Sequence, residues 1–232
     1  MPNLSKAEQI PLDFPVRAAF AREDFMLGES NQDAVQWIDQ WPEWPAPALF
    51  LTGPAASGKS HLAAVWQSKS KAATINPEEL IKSDAEHLAS LGQHVMIDGI
   101  DPWLGDREAE TTLFHLYNIF KEEGRTMLLT GRAAPSHIDF AIADLASRLR
   151  AAPCTTIKSP DDTLLQNITV KMFADRQIQI SEDILNYLTP RMERSFKFIS
   201  DIVAKSDELA LSKHRPITIP IIRDALIALQ SD

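Results

Sequence analysis

Cysteine is nearly absent: Cys154 stands alone in 232 residues. It has no partner for an intramolecular disulfide and no second thiolate for a metal cluster. Long apolar runs are missing too. The longest span only a few residues, against the roughly 20 that cross a bilayer, and no charged-then-apolar leader opens the chain. A soluble, cytoplasmic protein with no membrane partner is expected. Positive charge is in deficit, with 23 Lys and Arg against 32 Asp and Glu and a net charge of −9. That balance argues against the broad basic surface with which duplex-binding domains displace counterions, so no direct sequence-specific DNA binding is expected. The six histidines are scattered and form no helical metal-ligand pair. No internal repeat or low-complexity tract is found.

What is present suits an α/β domain with a smaller appendage: 44% of the residues are hydrophobic, enough for a substantial core. Residues 1–16 are polar and carry three prolines, which reads as a flexible tail holding one apolar cluster. Residues 17–158 alternate short apolar runs with stretches long enough for crossover helices. The runs are Ala48-Leu49-Phe50-Leu51, Ala73-Thr74-Ile75, Val95-Met96-Ile97, Met127-Leu128-Leu129 and Thr155-Thr156-Ile157. This pattern predicts a parallel sheet flanked by helices, with helices over residues 60–67, 110–122 and 138–149. In residues 159–232 the apolar period becomes helical, as in Leu164, Leu165, Ile168 and Met172, and predicts an all-helical lid. Ser181 is placed to cap a helix, and Pro190 and Pro220 to open one each.

Gly53-Pro54-Ala55-Ala56-Ser57-Gly58-Lys59-Ser60 follows a predicted strand and precedes a predicted helix, the context in which a phosphate-binding loop works. Glycines let backbone amides curl toward phosphates and the helix N-terminus adds partial positive charge. Lys59 reaches the terminal phosphates and Ser60 can ligate magnesium. Such a site needs an acid at the end of a neighbouring strand, and Val95-Met96-Ile97-Asp98 supplies Asp98. Water-activating ATPases of this type commonly set a second acid directly after the first. Here that position is Gly99, and Asp101, two residues further, would need an unusual backbone path to reach the same water. Weak hydrolysis by the isolated chain is therefore expected.

These residues resemble the AAA+ ATPases, and more narrowly the DnaA and Hda group of bacterial replication proteins. Ile97-Asp98-Gly99-Ile100-Asp101 is similar to the group's acidic strand, and Leu113-Phe114-His115-Leu116-Tyr117-Asn118 to the helix after it. The resemblance implies a P-loop core with a helical lid, ADP or ATP with magnesium as ligands, and sensor-1 and sensor-2 residues. Thr130 falls at sensor 1, and Arg194 at sensor 2, with Lys197 in an alternative register. Asp144-Leu145-Ala146-Ser147-Arg148-Leu149 resembles box VII, which makes Arg148 the candidate arginine finger acting on a neighbouring subunit's nucleotide. Phe25, Met26, Gly28 and Asn31 resemble the base-binding segment, which implies adenine.

Two departures from DnaA shape the functional expectation. No helix-turn-helix domain beyond the lid is expected. The tail's Gln9-Ile10-Pro11-Leu12-Asp13-Phe14 resembles the peptide with which bacterial proteins dock on the sliding clamp, Leu12, Phe14 and Ile10 supplying apolar groups and Gln9 an amide. The resemblance thus implies a regulator of DnaA, bound to the DNA polymerase III beta clamp, retaining ADP and stimulating hydrolysis of DnaA-bound ATP. An autonomous ATPase such as a helicase loader, and a non-catalytic adaptor between clamp and DnaA, are the alternatives. Self-association is compatible with all three.

Overall fold

The five apolar runs become five parallel strands in a computed structural model that describes residues 27–230. The strands are β1 (Ala48–Thr52), β2 (Ala73–Ile75), β3 (His94–Ile97), β4 (Thr126–Gly131) and β5 (Cys154–Thr156), in the spatial order β2-β3-β4-β1-β5. Every residue of β1 and β4 is buried. That explains why they read as continuous apolar runs rather than alternating ones. Side chains still alternate between the two faces. Phe50, Val95, Ile97 and Leu129 meet α3 (Ala85–Ser90), α4 (Arg107–Glu122) and α5 (Ala143–Ala151). Leu49, Leu51, Met96 and Leu128 meet α1 (Gln32–Asp39) and α2 (Lys59–Ser70) on the other face.

The register brings the strand ends together: Leu51 lies beside Thr130, Thr52 beside Gly131, and Ile97 beside Leu129. The chain leaves β1 through α2 for the far edge strand β2, while β5 pairs on β1's opposite side. Ligands of open α/β sheets bind at the carboxyl ends of strands at such a switch point. The segments after β1, β3 and β4 converge there.

The lid is helical as expected: α6 (Asp162–Ala174), α7 (Glu182–Leu188), α8 (Phe196–Lys213) and α9 (Ile219–Gln230) share a separate apolar cluster around Leu165, Phe173, Ile199 and Ile222. Ser181 takes the N-cap position of α7 but caps through no side-chain bond. Pro190 sits in a 3-10 turn at Thr189–Arg191, and Pro220 is the second residue of α9. Among the described residues no helix is long and apolar enough to cross a membrane.

One expected element is shorter than its period suggested. The helix predicted over residues 138–149 begins only at Ala143, after a 3-10 turn at Pro135–His137 and an extended stretch. Side chains claim the backbone groups that a longer helix would use. Ile138 O accepts from Arg150 Nη2 at 3.1 Å, and Ile142 N–H donates to Glu110 Oε2 at 2.7 Å. Local side-chain bonds of this kind compete directly with helix formation.

Candidate nucleotide-binding site

The loop after β1 is shaped by its glycines. A Cβ on Gly53 would lie 2.3 Å from the Ile157 carbonyl oxygen, so only glycine lets the chain pass β5's exit. Gly58 adopts φ +99° as the N-cap of α2, where no side chain caps the helix. The amides of α2's first turn are thus left to an external acceptor, and the helix dipole favours an anion there. Ser57 is buried, and its hydroxyl has no hydrogen-bond partner. Buried polar groups are normally satisfied, so an unpartnered hydroxyl inside the loop suits a ligand-binding cradle. Lys59 Nζ donates to the carbonyls of Gly53 (2.8 Å) and Pro54 (2.7 Å), which lays the ammonium along the loop. Ser60 follows it, exposed.

Asp98 directly follows β3, with Thr130 on the neighbouring strand facing it. The Thr130 hydroxyl donates to Asp98 Oδ1 and accepts the Gly99 N–H at 2.9 Å, and its own carbonyl accepts from Ile100 N–H at 2.9 Å. Thr130 is fully buried, so one hydroxyl fixes both the carboxylate and the turn after it. Gly99 has φ +75°, a left-handed conformation that turns the chain back toward the sheet. Asp101 then opens a 3-10 turn and its Oδ1 accepts the Arg132 N–H at 2.5 Å, just beyond the end of β4. Burial holds the Lys59 ammonium below its ordinary pKa, Asp101 and then Asp98 oppose that fall, and Arg132 adds to it. Both carboxylates thus favour the charged form of Lys59.

Magnesium would take one hydroxyl and one carboxylate here, Ser60 and Asp98. Hard oxygen donors of this kind suit the ion when phosphates and water complete its shell. Among the described residues no cluster of three or more His, Cys, Asp or Glu offers a protein-only metal cage. The residues fit a metal that arrives with phosphate.

The lid reaches the loop through a residue that sequence reasoning passed over. Phe196, first in α8, donates its N–H to Ala56 O at 3.3 Å, and its ring lies where a Cβ on Gly58 would meet it at 3.0 Å. Arg194 instead pairs with Asp162 at 2.9 Å, both more than half exposed, and Lys197 pairs with Asp201 at 2.6 Å. Ser195 before Phe196 caps α8, and nothing in the spacing told which surface α8 would begin against.

Gly28 and Asn31 form a tight turn ahead of α1. The Gly28 N–H donates to Asn31 Oδ1 at 3.0 Å, Asn31 is buried as the N-cap of α1, and Gly28 packs against Leu164 of the lid. Ser30 O accepts the Lys158 N–H at 2.8 Å, tying the turn to the end of β5. Phe25 and Met26, and the tail residues Gln9, Ile10, Leu12 and Phe14, lie outside the described residues.

Arg148 is half-buried on α5, away from the loop's own lining. Its guanidinium lies 4.5 Å from the ring centroid of Phe114 and 5.7 Å from that of Tyr117, both on α4. Ring faces hold a guanidinium without consuming its N–H donors. Among the described residues, no side chain or carbonyl accepts from it.

Comparison with known proteins agrees with this geometry. Residues 165–226 match the family model "Hda, lid domain". The fold is similar to domain III of the Thermotoga maritima replication initiation protein DnaA, with a TM-score of 0.77 at 16% identity over 94% of this chain and 98% of that one. It is similar to AMPPCP-bound DnaA from Aquifex aeolicus, with a TM-score of 0.68 at 17% identity over 83% of this chain and 65% of that chain. The Thermotoga maritima RuvB Holliday junction branch migration motor matches with a TM-score of 0.68 at 14% identity over 91% of this chain and 72% of that one. Its lid matched by the Hda lid-domain model over residues 165–226, the chain has the fold of DnaA domain III.

Proposed function

We propose that the chain is a DnaA-related regulator of replication initiation. It holds an adenine nucleotide between core and lid and presents Arg148 to ATP bound by DnaA, stimulating hydrolysis there. AMPPCP in the Aquifex DnaA supports an adenine nucleotide in the homologous cleft. The resemblance to Hda proteins favours ADP as the retained form, with magnesium through Ser60 and Asp98. The tail, through Gln9, Ile10, Leu12 and Phe14, docks on the sliding clamp and brings the chain to replicating DNA.

The observation that carries this reading is the state of Arg148: held over two rings of its own chain, with its donors uncommitted among the described residues. A guanidinium so placed offers fixed donors and permanent charge to a transferring phosphoryl group on another molecule. The test is DnaA-bound ATP hydrolysis with clamp-loaded DNA, comparing the intact chain with Arg148→Ala. Loss of stimulation on the order of 10³-fold is expected for an arginine finger. Unchanged stimulation would leave the adaptor reading in its place.

A second reading, autonomous ATP turnover, draws support from one observation. Asp101 follows the left-handed turn at Gly99 and is anchored by the Arg132 amide just beyond the end of β4. Rapid turnover by the purified chain alone, abolished in Asp101→Asn, would favour it over regulation of a partner.

A further inference from the structure

Helix α4 carries Glu110, Phe114 and Tyr117 at spacings of four and three residues, which places them along one side. Glu110 is fully buried, a costly position for a carboxyl group unless its oxygens are satisfied. Both are. Oε1 accepts the Gly105 N–H at 2.6 Å, just before α4, and Oε2 accepts the Ile142 N–H at 2.7 Å. Ile142 is the N-cap residue of α5. One and two turns along α4, Phe114 and Tyr117 carry the Arg148 guanidinium on their faces.

Helix α5 otherwise meets the core through Leu145 and Leu149. Apolar contact is non-directional and tolerates rotation or sliding of a helix, whereas two short hydrogen bonds to one carboxylate do not. Arg148 lies six residues beyond Ile142, so a shift in where α5 starts is transmitted to the guanidinium.

We propose that this face of α4 positions the arginine finger: Glu110 sets where α5 begins, and Phe114 with Tyr117 sets where the Arg148 guanidinium lies. The proposal rests on the reading of Arg148 as the group that acts on DnaA-bound ATP. Glu110 touches no substrate and acts through Arg148.

The full chain carrying Glu110→Gln, Phe114→Leu, or either combined with Arg148→Ala is titrated into DnaA–ATP with clamp-loaded DNA. Each single variant is expected to lower the maximal stimulated rate by on the order of 10- to 100-fold, as a displaced reacting group does. The concentration giving half-maximal stimulation should be unchanged, as should binding of ADP by the variant chain. Each double variant should be no slower than Arg148→Ala alone, because a residue that works only through Arg148 has nothing left to position. A wild-type maximal rate in either single variant, or doubles slower than Arg148→Ala, overturns the positioning role while leaving Arg148 its own. Full stimulation by Arg148→Ala overturns both. Should Glu110→Gln fail to fold, Phe114→Leu decides, since it leaves the two carboxylate bonds untouched.

Discussion

A single buried hydroxyl, that of Thr130, is bonded to both groups that shape the acidic end of β3. It orients the Asp98 carboxylate and satisfies the Gly99 amide at the left-handed turn that precedes Asp101. Replacing Thr130 by Val keeps the shape and removes the hydroxyl. It should cost about 1–3 kcal/mol in a denaturant titration, the range for leaving a buried partner unsatisfied. Affinity for the magnesium–nucleotide complex should also fall, with Thr130→Ser restoring it. Unaltered affinity in Thr130→Val would show that Asp98 does not need this orientation. A threonine ending a strand was visible in the sequence, as were Asp98 and Asp101. The hydroxyl's partners were not, because they come from a strand 32 positions away that only sheet pairing brings alongside.

At the scale of elements, the loop and the lid meet at two helix starts. Helix α2 begins at the loop without a side-chain cap, and α8 begins against it with Ser195 capping the Phe198 N–H at 3.1 Å while Phe196 donates to Ala56 O. Ser195→Ala should cost about 1 kcal/mol, the usual value of such a cap. By fraying α8's first turn it should also speed release of a fluorescent ADP analogue. A release rate equal to that of the intact chain would mean that the start of α8 does not hold the nucleotide. Helix α4 was legible because its apolar period is strong, and α2 because a helix must follow the phosphate loop. The late start of α5 was not, since the competing acceptors and donors are Glu110 and Arg150, whose reach depends on how α4 and α5 pack.

Over the whole molecule, two apolar layers on the sheet and a third in the lid are separate clusters. They are joined near the site by narrow contacts, Gly28 against Leu164 and Gly58 against Phe196. A nucleotide gripping loop and lid together should stabilise the chain as a unit. At about 100 times its dissociation constant, ADP should add about 2.7 kcal/mol and raise the thermal midpoint by roughly 5–10 °C for a chain of this size. Lys59→Met should abolish the ADP-dependent rise. A rise that persists in that variant would place the binding site elsewhere.

Element type and order, the phosphate loop and its acidic strand were determined by the sequence alone. Apolar period, glycine positions and the strand-loop-helix context are local properties of the chain. Tertiary structure decided which groups face one another. It anchored Asp101 on the Arg132 amide, set Phe196 against the loop, and laid Arg148 on Phe114 and Tyr117. Those outcomes depend on strand order, helix packing and the competition of side chains for distant backbone groups. No window along the chain contains both partners of such a contact.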